Sequence, residues 1–286
     1  MTYTPSPRPR FDGPAYIAYE TTARHLWGDP DAGEVADWIY VSSDKIHQLV
    51  FGLPSGGMFR HSEEHRTIFA ADEVYYVLSG IMLIANPATG EVHRVERGEA
   101  AFFRRDTWHH AMSVGVEPLR VLELFAPPPS RGTSGAYART QPYLERSIYR
   151  RDHLLGRWPM ARQDAQHDAT IQVVRENDVL WHIEGRDRLT PVGLLASTDQ
   201  LTVGTITLLA GQQTEPHVHG GDESLYVLDG ALNVRLPEYR GARWHELRPG
   251  DGFYIPEGEP HQYYNVAATP ARLIFGVAPA YLPAQP

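Results

Sequence analysis

The stretch "TEPHVHGGDESLYVLDG", residues 214–230, combines two histidines, a carboxylate and a strand-like run. His217 and His219 are separated by one residue, and Glu223 follows four residues after His219. Residues i and i+2 of an extended chain point to the same face, so both imidazoles are expected to project together. Glu223 is expected to join that face from the next strand. This spacing indicates a metal site.

A fourth candidate ligand, His261, lies in "GDGFYIPEGEPHQYYN", residues 250–265, where a strand is predicted to start near the histidine. Gly220 and Gly221 are expected to permit a tight turn ahead of Glu223. Three imidazoles and one carboxylate suit a divalent Fe, Mn, Ni, Cu or Zn ion and leave positions open for substrate or dioxygen. The competing interpretation is a surface His-x-His pair without metal.

A second stretch, "IFAADEVYYVLSG" at 68–80, ends in almost the same way but has no histidine pair. Glu73 and Glu223 each lead into Tyr-Val-Leu-x-Gly at an offset of 150 residues. His109 matches His261 at an offset of 152. Two near-equal offsets over such a distance indicate an internal duplication.

Short runs rich in Val, Leu, Ile, Tyr and Phe recur between glycines and prolines, which predicts an all-β protein of many short strands. The repeat places one unit at 37–126 and the second at 190–282. A connector, 127–189, separates them. It opens with the Pro-rich "APPPSRGTSG" at 126–135, and the region 134–165 is expected to hold one or two short helices.

The second half resembles the cupin superfamily. The first motif of that family reads Gly-(five)-His-x-His-(three)-Glu-(six)-Gly, which the chain matches with Gly211, His217, His219, Glu223 and Gly230. The second motif is matched by Gly250, Pro256, Gly258, His261 and Asn265. The resemblance implies two tandem double-stranded β-helix (jelly-roll) barrels, a bicupin. It also implies that one divalent ion, iron in the first instance, binds inside the second barrel to His217, His219, Glu223 and His261.

The first half departs from the motifs. Its counterparts of the two histidines are Thr67 and Phe69, which are poor metal ligands, although Glu73 and His109 are kept. Three further family positions differ and are occupied by Arg104, Asp106 and Ser113. A different alignment would build a site from Glu63, His65, Glu73 and His109, with His61 and His110 as spares. The favoured interpretation is a barrel without metal that is kept for packing, for dimerisation or as a lid, with His109 hydrogen-bonded to a neighbouring carboxylate.

A candidate substrate pocket surrounds the second site and consists of Gln213, Leu225, Val227, Tyr263 and Arg272. Tyr263 follows His261 by two residues, so strand alternation puts it on the metal-facing side. Glu223 and Tyr263 are therefore the candidate catalytic residues. Core packing would explain Gln213, Leu225, Val227 and Tyr263 about equally well.

Bicupins that resemble this chain include dioxygenases acting on gentisate or quercetin, oxalate decarboxylases and storage proteins. The resemblance thus implies an Fe(II)-type dioxygenase for a small oxygenated or aromatic substrate. A metal-dependent isomerase, epimerase or lyase is the first alternative. A non-catalytic bicupin that binds a small molecule is the second.

Composition excludes several partners. The 286 residues carry a net charge of −9, so a nucleic acid would be repelled. No apolar run approaches the ~20 residues of a membrane span. The polar N-terminal sequence has no signal-like core, so a cytoplasmic protein is expected. The absence of cysteine excludes disulfides and thiolate ligands. A small-molecule substrate is the expected partner, and a homo-oligomer is allowed.

Overall fold

A computed structural model describes residues 6–127 and 134–284, and it confirms the all-β fold with two barrels. Most of the Pro-rich segment at 126–135 lies outside the described residues. The strands before the connector are β1 (Ala15–Ile17), β2 (Ala23–Asp29), β3 (Gly33–Ser42), β4 (His47–Leu53), β5 (Met58–Phe59), β6 (Asp72–Ser79), β7 (Ile81–Asn86), β8 (Glu91–Glu96), β9 (Ala100–Phe103), β10 (His110–Ser113) and β11 (Leu119–Ala126).

The remaining strands are β12 (Ile171–Val174), β13 (Leu180–Glu184), β14 (Thr190–Ser197), β15 (Thr202–Leu208), β16 (Asp222–Asp229), β17 (Leu232–Arg235), β18 (Trp244–Leu247), β19 (Gly252–Ile255), β20 (Gln262–Tyr264) and β21 (Ala271–Ala278). The described part of the connector holds two short helices, α1 (Ser134–Ala138) and α2 (Met160–His167). Single 3-10 turns occupy Tyr19–Thr21, Asp152–Leu154 and Glu176–Asp178.

Each barrel is built on a seven-stranded antiparallel sheet. The order is β12-β9-β6-β11-β4-β3-β2 in the first barrel and β1-β19-β16-β21-β15-β14-β13 in the second. The smaller sheets are β5-β10-β7-β8 and β18-β17-β20. Because equivalent strands occupy equivalent positions, the sheet topology shows the same duplication as the sequence.

Both large sheets take an edge strand from outside the expected ranges of the barrels. β1 pairs with β19 of the second barrel, with Ala15 opposite Tyr254. β12 of the connector pairs with β9 of the first barrel, with Ile171 opposite Phe103. The chain therefore ties the two barrels together through its N-terminal segment and its connector.

The central strands of the large sheets are buried on both faces. On β6, Tyr75 and Val77 face the interior of the first barrel, whereas Val74 and Tyr76 belong to an apolar layer that also holds Ile274 of the second barrel. Polar contacts reinforce this layer, for example between the Lys45 ammonium and the buried Asp222 carboxylate at 2.9 Å. Burial on both faces explains why these strands read as nearly continuous apolar runs.

Candidate metal centre

The structure brings His217, His219, Glu223 and His261 together inside the second barrel, with their ligand atoms within 4.8 Å of one another. Glu223 is the second residue of β16, and His261 directly precedes β20. The backbones of His217 and His261 exchange two hydrogen bonds of 2.9 and 3.0 Å. His217 and His219 lie in an extended loop rather than in a regular strand, but both rings still point inward.

Each histidine ring is fixed by a backbone carbonyl. The Nδ1 atom of His217 donates to Glu215 O at 2.9 Å, that of His219 donates to Tyr281 O at 2.9 Å, and that of His261 donates to Glu259 O at 3.0 Å. A ring that donates from Nδ1 carries its free lone pair on Nε2. Three Nε2 atoms are therefore oriented as candidate ligands.

The two carboxylate oxygens of Glu223 have different surroundings. Oε1 accepts a hydrogen bond from the Tyr263 hydroxyl at 2.6 Å. Oε2 lies 2.9 Å from His261 Nε2 and 3.6 Å from His219 Nε2, and both Oε2 and His261 Nε2 are buried without a hydrogen-bond partner. Two ligand atoms bound to one ion at a right angle are about 3.0 Å apart for bonds of about 2.1 Å. The residues present thus fit a divalent ion.

The electrostatics of the site favour the metal-binding forms of His217 and Glu223. Burial and the neighbouring His261 lower the pKa of His217 to about 3, so its imidazole is neutral near pH 7. Burial would raise the pKa of Glu223, but the surrounding histidines outweigh it and lower this pKa to about 2. Neutral imidazoles and an ionised carboxylate are the ligand forms of these groups.

Tyr281 is a component of the site that the sequence motifs did not identify. Its ring packs on His219 with centroids 4.6 Å apart, and its hydroxyl donates to Glu184. Gly220 and Gly221 make this possible. A Cβ on Gly221 would lie 2.2 Å from the Ala278 carbonyl oxygen, and one on Gly220 would lie 2.4 Å from that of Leu282. The glycines lie in a bend directly ahead of β16, as expected, and they also admit the C-terminal segment that carries Tyr281.

The predicted pocket residues have different positions. Tyr263 lies beside Glu223, and Leu225 and Val227 are buried in the apolar interior of the same barrel. Gln213 accepts a hydrogen bond of 3.4 Å from Gln262 and lines a groove that contains none of the four candidate ligands.

Arg272 was wrongly placed in this pocket. Its guanidinium pairs with Asp229 at 3.4 Å in a groove shared by both barrels. The neighbouring Leu273 is the residue of that strand that faces the barrel interior, and Arg272 alternates with it. Strand alternation therefore directs Arg272 away from the histidines.

The first barrel keeps the backbone hydrogen bonding of the site but lacks its two paired histidine ligands. The His109 amide donates to Thr67 O at 3.1 Å, just as the His261 amide donates to His217 O at 3.0 Å. Thr67 and Phe69 therefore occupy the histidine positions. The Nε2 atom of His109 accepts from the Tyr75 hydroxyl at 3.0 Å, and Glu73 Oε2 is 3.9 Å away. The expected partner of His109, a carboxylate, is thus replaced by a phenol, because the Tyr75 hydroxyl is closer.

The alternative site based on Glu63 and His65 is not assembled. Glu63 is exposed, and His65 contacts Asp29 at 3.0 Å. His61 and His110 bind each other at 2.7 Å, and further bonds link them to the connector at Leu144 and Tyr149. Across residues 6–127 and 134–284, the second barrel holds the one group of this kind with metal-ligand spacing.

Comparison with known proteins identifies the family. A family model for the cupin domain matches residues 50–125 and 204–277, more than half of the chain. The chain therefore belongs to the cupin family, and its two matched segments make it a bicupin. No curated protein matches the sequence.

Three solved structures share the fold across both barrels. A protein of Pseudomonas aeruginosa described as glyoxylate-induced superposes with a TM-score of 0.65 at 14% identity, covering 97% of this chain and 93% of that one. Oxalate decarboxylase of Lactobacillus farciminis gives 0.61 at 13% identity, with coverages of 97% and 89%. Ylba of Escherichia coli gives 0.61 at 10% identity, with coverages of 93% and 90%. At these identities the similarity establishes the fold alone.

Helices of the described part of the chain are all too short or too polar to cross a membrane.

Proposed function

We propose that the second barrel is the active site of a metal-dependent enzyme, in the first instance an Fe(II)-type dioxygenase acting on a small oxygenated or aromatic substrate. The observation that supports it is the convergence of three Nε2 atoms and Glu223 Oε2, with each imidazole fixed through Nδ1. A barrel that only stores or packs has no need of oriented donors in its interior.

The candidate ligands are His217, His219, Glu223 and His261. A divalent ion held there would polarise the oxygens of a chelating substrate, and iron would in addition supply redox chemistry with dioxygen. Glu223 contributes the negative charge of the site. Tyr281, stacked on Phe275 with centroids 5.9 Å apart, covers the His219 side and limits the access of water.

Tyr263 is the candidate proton donor. Its ring is buried, and its hydroxyl donates to Glu223 Oε1. Burial and the adjacent carboxylate raise its pKa well above the ordinary value of a phenol, so the hydroxyl keeps its proton near neutral pH. A phenol with so high a pKa is a weak acid, so it would protonate only a strongly basic carbanion or enolate of the substrate.

This proton donor also favours a second candidate function, a redox-neutral lyase or isomerase. Proton transfer to a substrate carbanion or enolate needs a nearby acid, whereas oxygenation does not require one. The oxalate decarboxylase of Bacillus subtilis, described with Mn(II) centres, has the same fold at 13% identity and a TM-score of 0.59. Manganese is therefore the first alternative to iron.

One set of measurements separates these functions. Protein purified without an affinity tag or chelator is analysed for metal, and oxygen uptake is then recorded with a panel of small phenolic and hydroxy-acid substrates. Oxygen uptake that requires iron supports the dioxygenase, whereas turnover under argon supports the lyase or isomerase. Ligand binding that survives removal of the metal, without turnover, would contradict both functions.

The Glu223→Ala variant should be inactive even with excess metal. Glu246→Ala is the matched control, because Glu246 is exposed on β18 of the same barrel. Normal turnover by Glu223→Ala would show that the chemistry occurs elsewhere.

A further inference from the structure

Arg120 is a half-buried cation at the seam between the two barrels. On β11, Val121 faces the interior of the first barrel, and Leu122 belongs to the apolar layer between the barrels. Alternation along the strand therefore puts Arg120 on the side of that layer. Its guanidinium lies over the Trp38 ring, 3.8 Å from the ring centroid. The side chain is thus laid against the protein and not extended into solvent.

A glycine makes room for this guanidinium. Arg120 pairs with Gly52 of β4, and a Cβ on Gly52 would lie 2.2 Å from Arg120 Nη1 and 3.1 Å from the Trp38 ring. Glycine inside a strand weakens the strand and marks a place where another group approaches closely. Strand register puts Thr207 and Gly193 of the second barrel at the positions of Gly52 and Trp38. The platform under Arg120 is therefore specific to the first barrel.

Arg24 adds a second positive charge beside the same ring. Its Cζ atom is 5.3 Å from the Trp38 centroid, and its guanidinium donates to Thr22 Oγ1 at 2.7 Å and to Tyr19 O at 2.9 Å. Burial and the nearby Arg24 lower the pKa of Arg120, which still stays charged near neutral pH. Within residues 6–127 and 134–284, neither arginine forms an ion pair with a carboxylate. Two cations without a counter-ion repel each other, so an anion would stabilise this site.

The carboxylates on this side of the seam are engaged elsewhere. Asp251 is buried and accepts hydrogen bonds from the Tyr16 hydroxyl at 2.9 Å and from two backbone amides at 3.1 and 2.9 Å. Glu20 is exposed on the adjoining 3-10 turn. The titratable groups that act on Arg120 are two tyrosines and Arg24, with no carboxylate among them in the described part of the chain.

The second barrel shows which partner an arginine at this position takes. Arg272 pairs with Asp229 across β21 and β16, as Arg120 pairs with Ser79 across β11 and β6. The guanidinium of Arg272 and the carboxylate of Asp229 are 3.4 Å apart. Ser79 is uncharged, and its hydroxyl donates to Pro118 O at 3.0 Å. The first barrel therefore keeps the cation and lacks its anion.

A groove of about 580 Å³ adjoins this site. Its lining includes Tyr19 and Tyr226, which are the two tyrosines that act on Arg120. Its charged residues are Arg97, Arg272 and Asp229, so the lining carries an excess of positive charge. The volume exceeds the roughly 150 Å³ that accommodates benzene. A molecule with one ring or a short chain thus has room beside the arginines.

We propose that Arg120 and Arg24 bind the carboxylate of a small organic acid, whose body lies in the groove beside Tyr19 and Tyr226. The carboxylate takes the place that Asp229 has in the second barrel. A guanidinium presents paired N–H donors that match the two oxygens of a carboxylate. The site lies at the seam, outside the interior of either barrel, so it is separate from the candidate metal centre.

The test uses benzoate as the probe and benzyl alcohol as its neutral counterpart of similar size, with calorimetric titration of the full-length protein at pH 7.5. We expect benzoate to bind at least tenfold more tightly than benzyl alcohol. Equal affinity for the two probes, or no binding of benzoate, would overturn the proposal. Displacement of benzoate by an equal concentration of inorganic phosphate would overturn the assignment to a carboxylate.

Variants locate the binding. Arg120→Gln removes the charge and should weaken benzoate binding about 10–100-fold, the effect of losing a hydrogen bond to a charged group. Ser79→Asp installs the carboxylate of the second barrel opposite Arg120 and should weaken benzoate binding in the same way. Ser79→Asp serves if Arg120→Gln misfolds, which far-UV CD would show. Benzoate affinity within twofold of wild type in the folded variants would overturn the proposal.

Two control variants exclude other sites. Arg235→Gln removes an exposed arginine from β17 of the second barrel, and His219→Ala removes a candidate metal ligand. Both should bind benzoate as the wild type does. Loss of binding in Arg235→Gln would show a general effect of net charge, and loss in His219→Ala would assign benzoate to the metal centre; either result would contradict the proposal.

Discussion

Replacing Tyr263 by phenylalanine tests the metal centre through a residue that is not itself a candidate ligand. The substitution removes one oxygen atom, and with it the 2.6 Å hydrogen bond to Glu223 Oε1. Both residues are about 1% exposed, so water cannot replace the lost donor without rearrangement. The carboxylate is then free to rotate away from the histidines, and metal affinity should fall.

The size of the effect follows from two independent magnitudes. A buried hydrogen bond to a charged group contributes about 1.5–3 kcal/mol. Loss of a group that orients a metal ligand costs about 10–100-fold in affinity, which corresponds to about 1.4–2.7 kcal/mol. Both ranges agree, so we expect a 10–100-fold increase in the metal dissociation constant.

The assay is competition with a chromophoric chelator for iron or manganese. Tyr264→Phe is the matched control, because Tyr264 is the next residue on β20 and its hydroxyl donates instead to Gln262 Oε1 at 2.9 Å. An affinity of Tyr263→Phe within twofold of wild type would refute the reasoning. An equal loss in Tyr264→Phe would show that the effect is not specific to Glu223.

Three further outcomes are expected. His219→Ala should lose metal while its far-UV CD spectrum stays unchanged, and full metal occupancy in this variant would exclude the proposed ligand set. Metal analysis should give about one ion per chain and the same content in His109→Ala; two ions, with one lost on substitution, would contradict it. Burial raises the pKa of Glu123 well above the ordinary carboxyl value, so the free energy of unfolding should fall as pH rises from that ordinary value towards the raised pKa, by up to about 1.4 kcal/mol per pH unit. Chemical denaturation of the wild type and of Glu123→Gln across a pH series that starts near pH 5 should show a flatter dependence for the variant, and an identical dependence would contradict the raised pKa.

Local pattern and spacing were sufficient to predict the fold class and the family. The runs of β-branched and aromatic residues specify short strands, and the two offsets between Glu73 and Glu223 and between His109 and His261 specify a duplication. The sequence also predicted that the four candidate ligands lie close together. Their spacing matches the two cupin motifs, and the barrel of that family brings these motif positions together. The sequence likewise showed that the first half lacks the two histidines, because Thr67 and Phe69 occupy the equivalent positions.

Contacts between distant parts of the chain could only be decided by the tertiary structure. Tyr281 reaches His219 because the C-terminal segment passes close to Gly220 and Gly221. No local sequence pattern indicates this role of the two glycines. Arg272 points away from the candidate metal site because it alternates along β21 with Leu273, which faces the barrel interior. The sequence alone does not show which face of a strand that is buried on both sides points into the barrel. A cavity in the first barrel likewise depends on register, which places Asp37 and Glu123 in one lining from strands far apart in sequence. Periodicity determines which residues share a face, and the packing of sheets determines what that face meets.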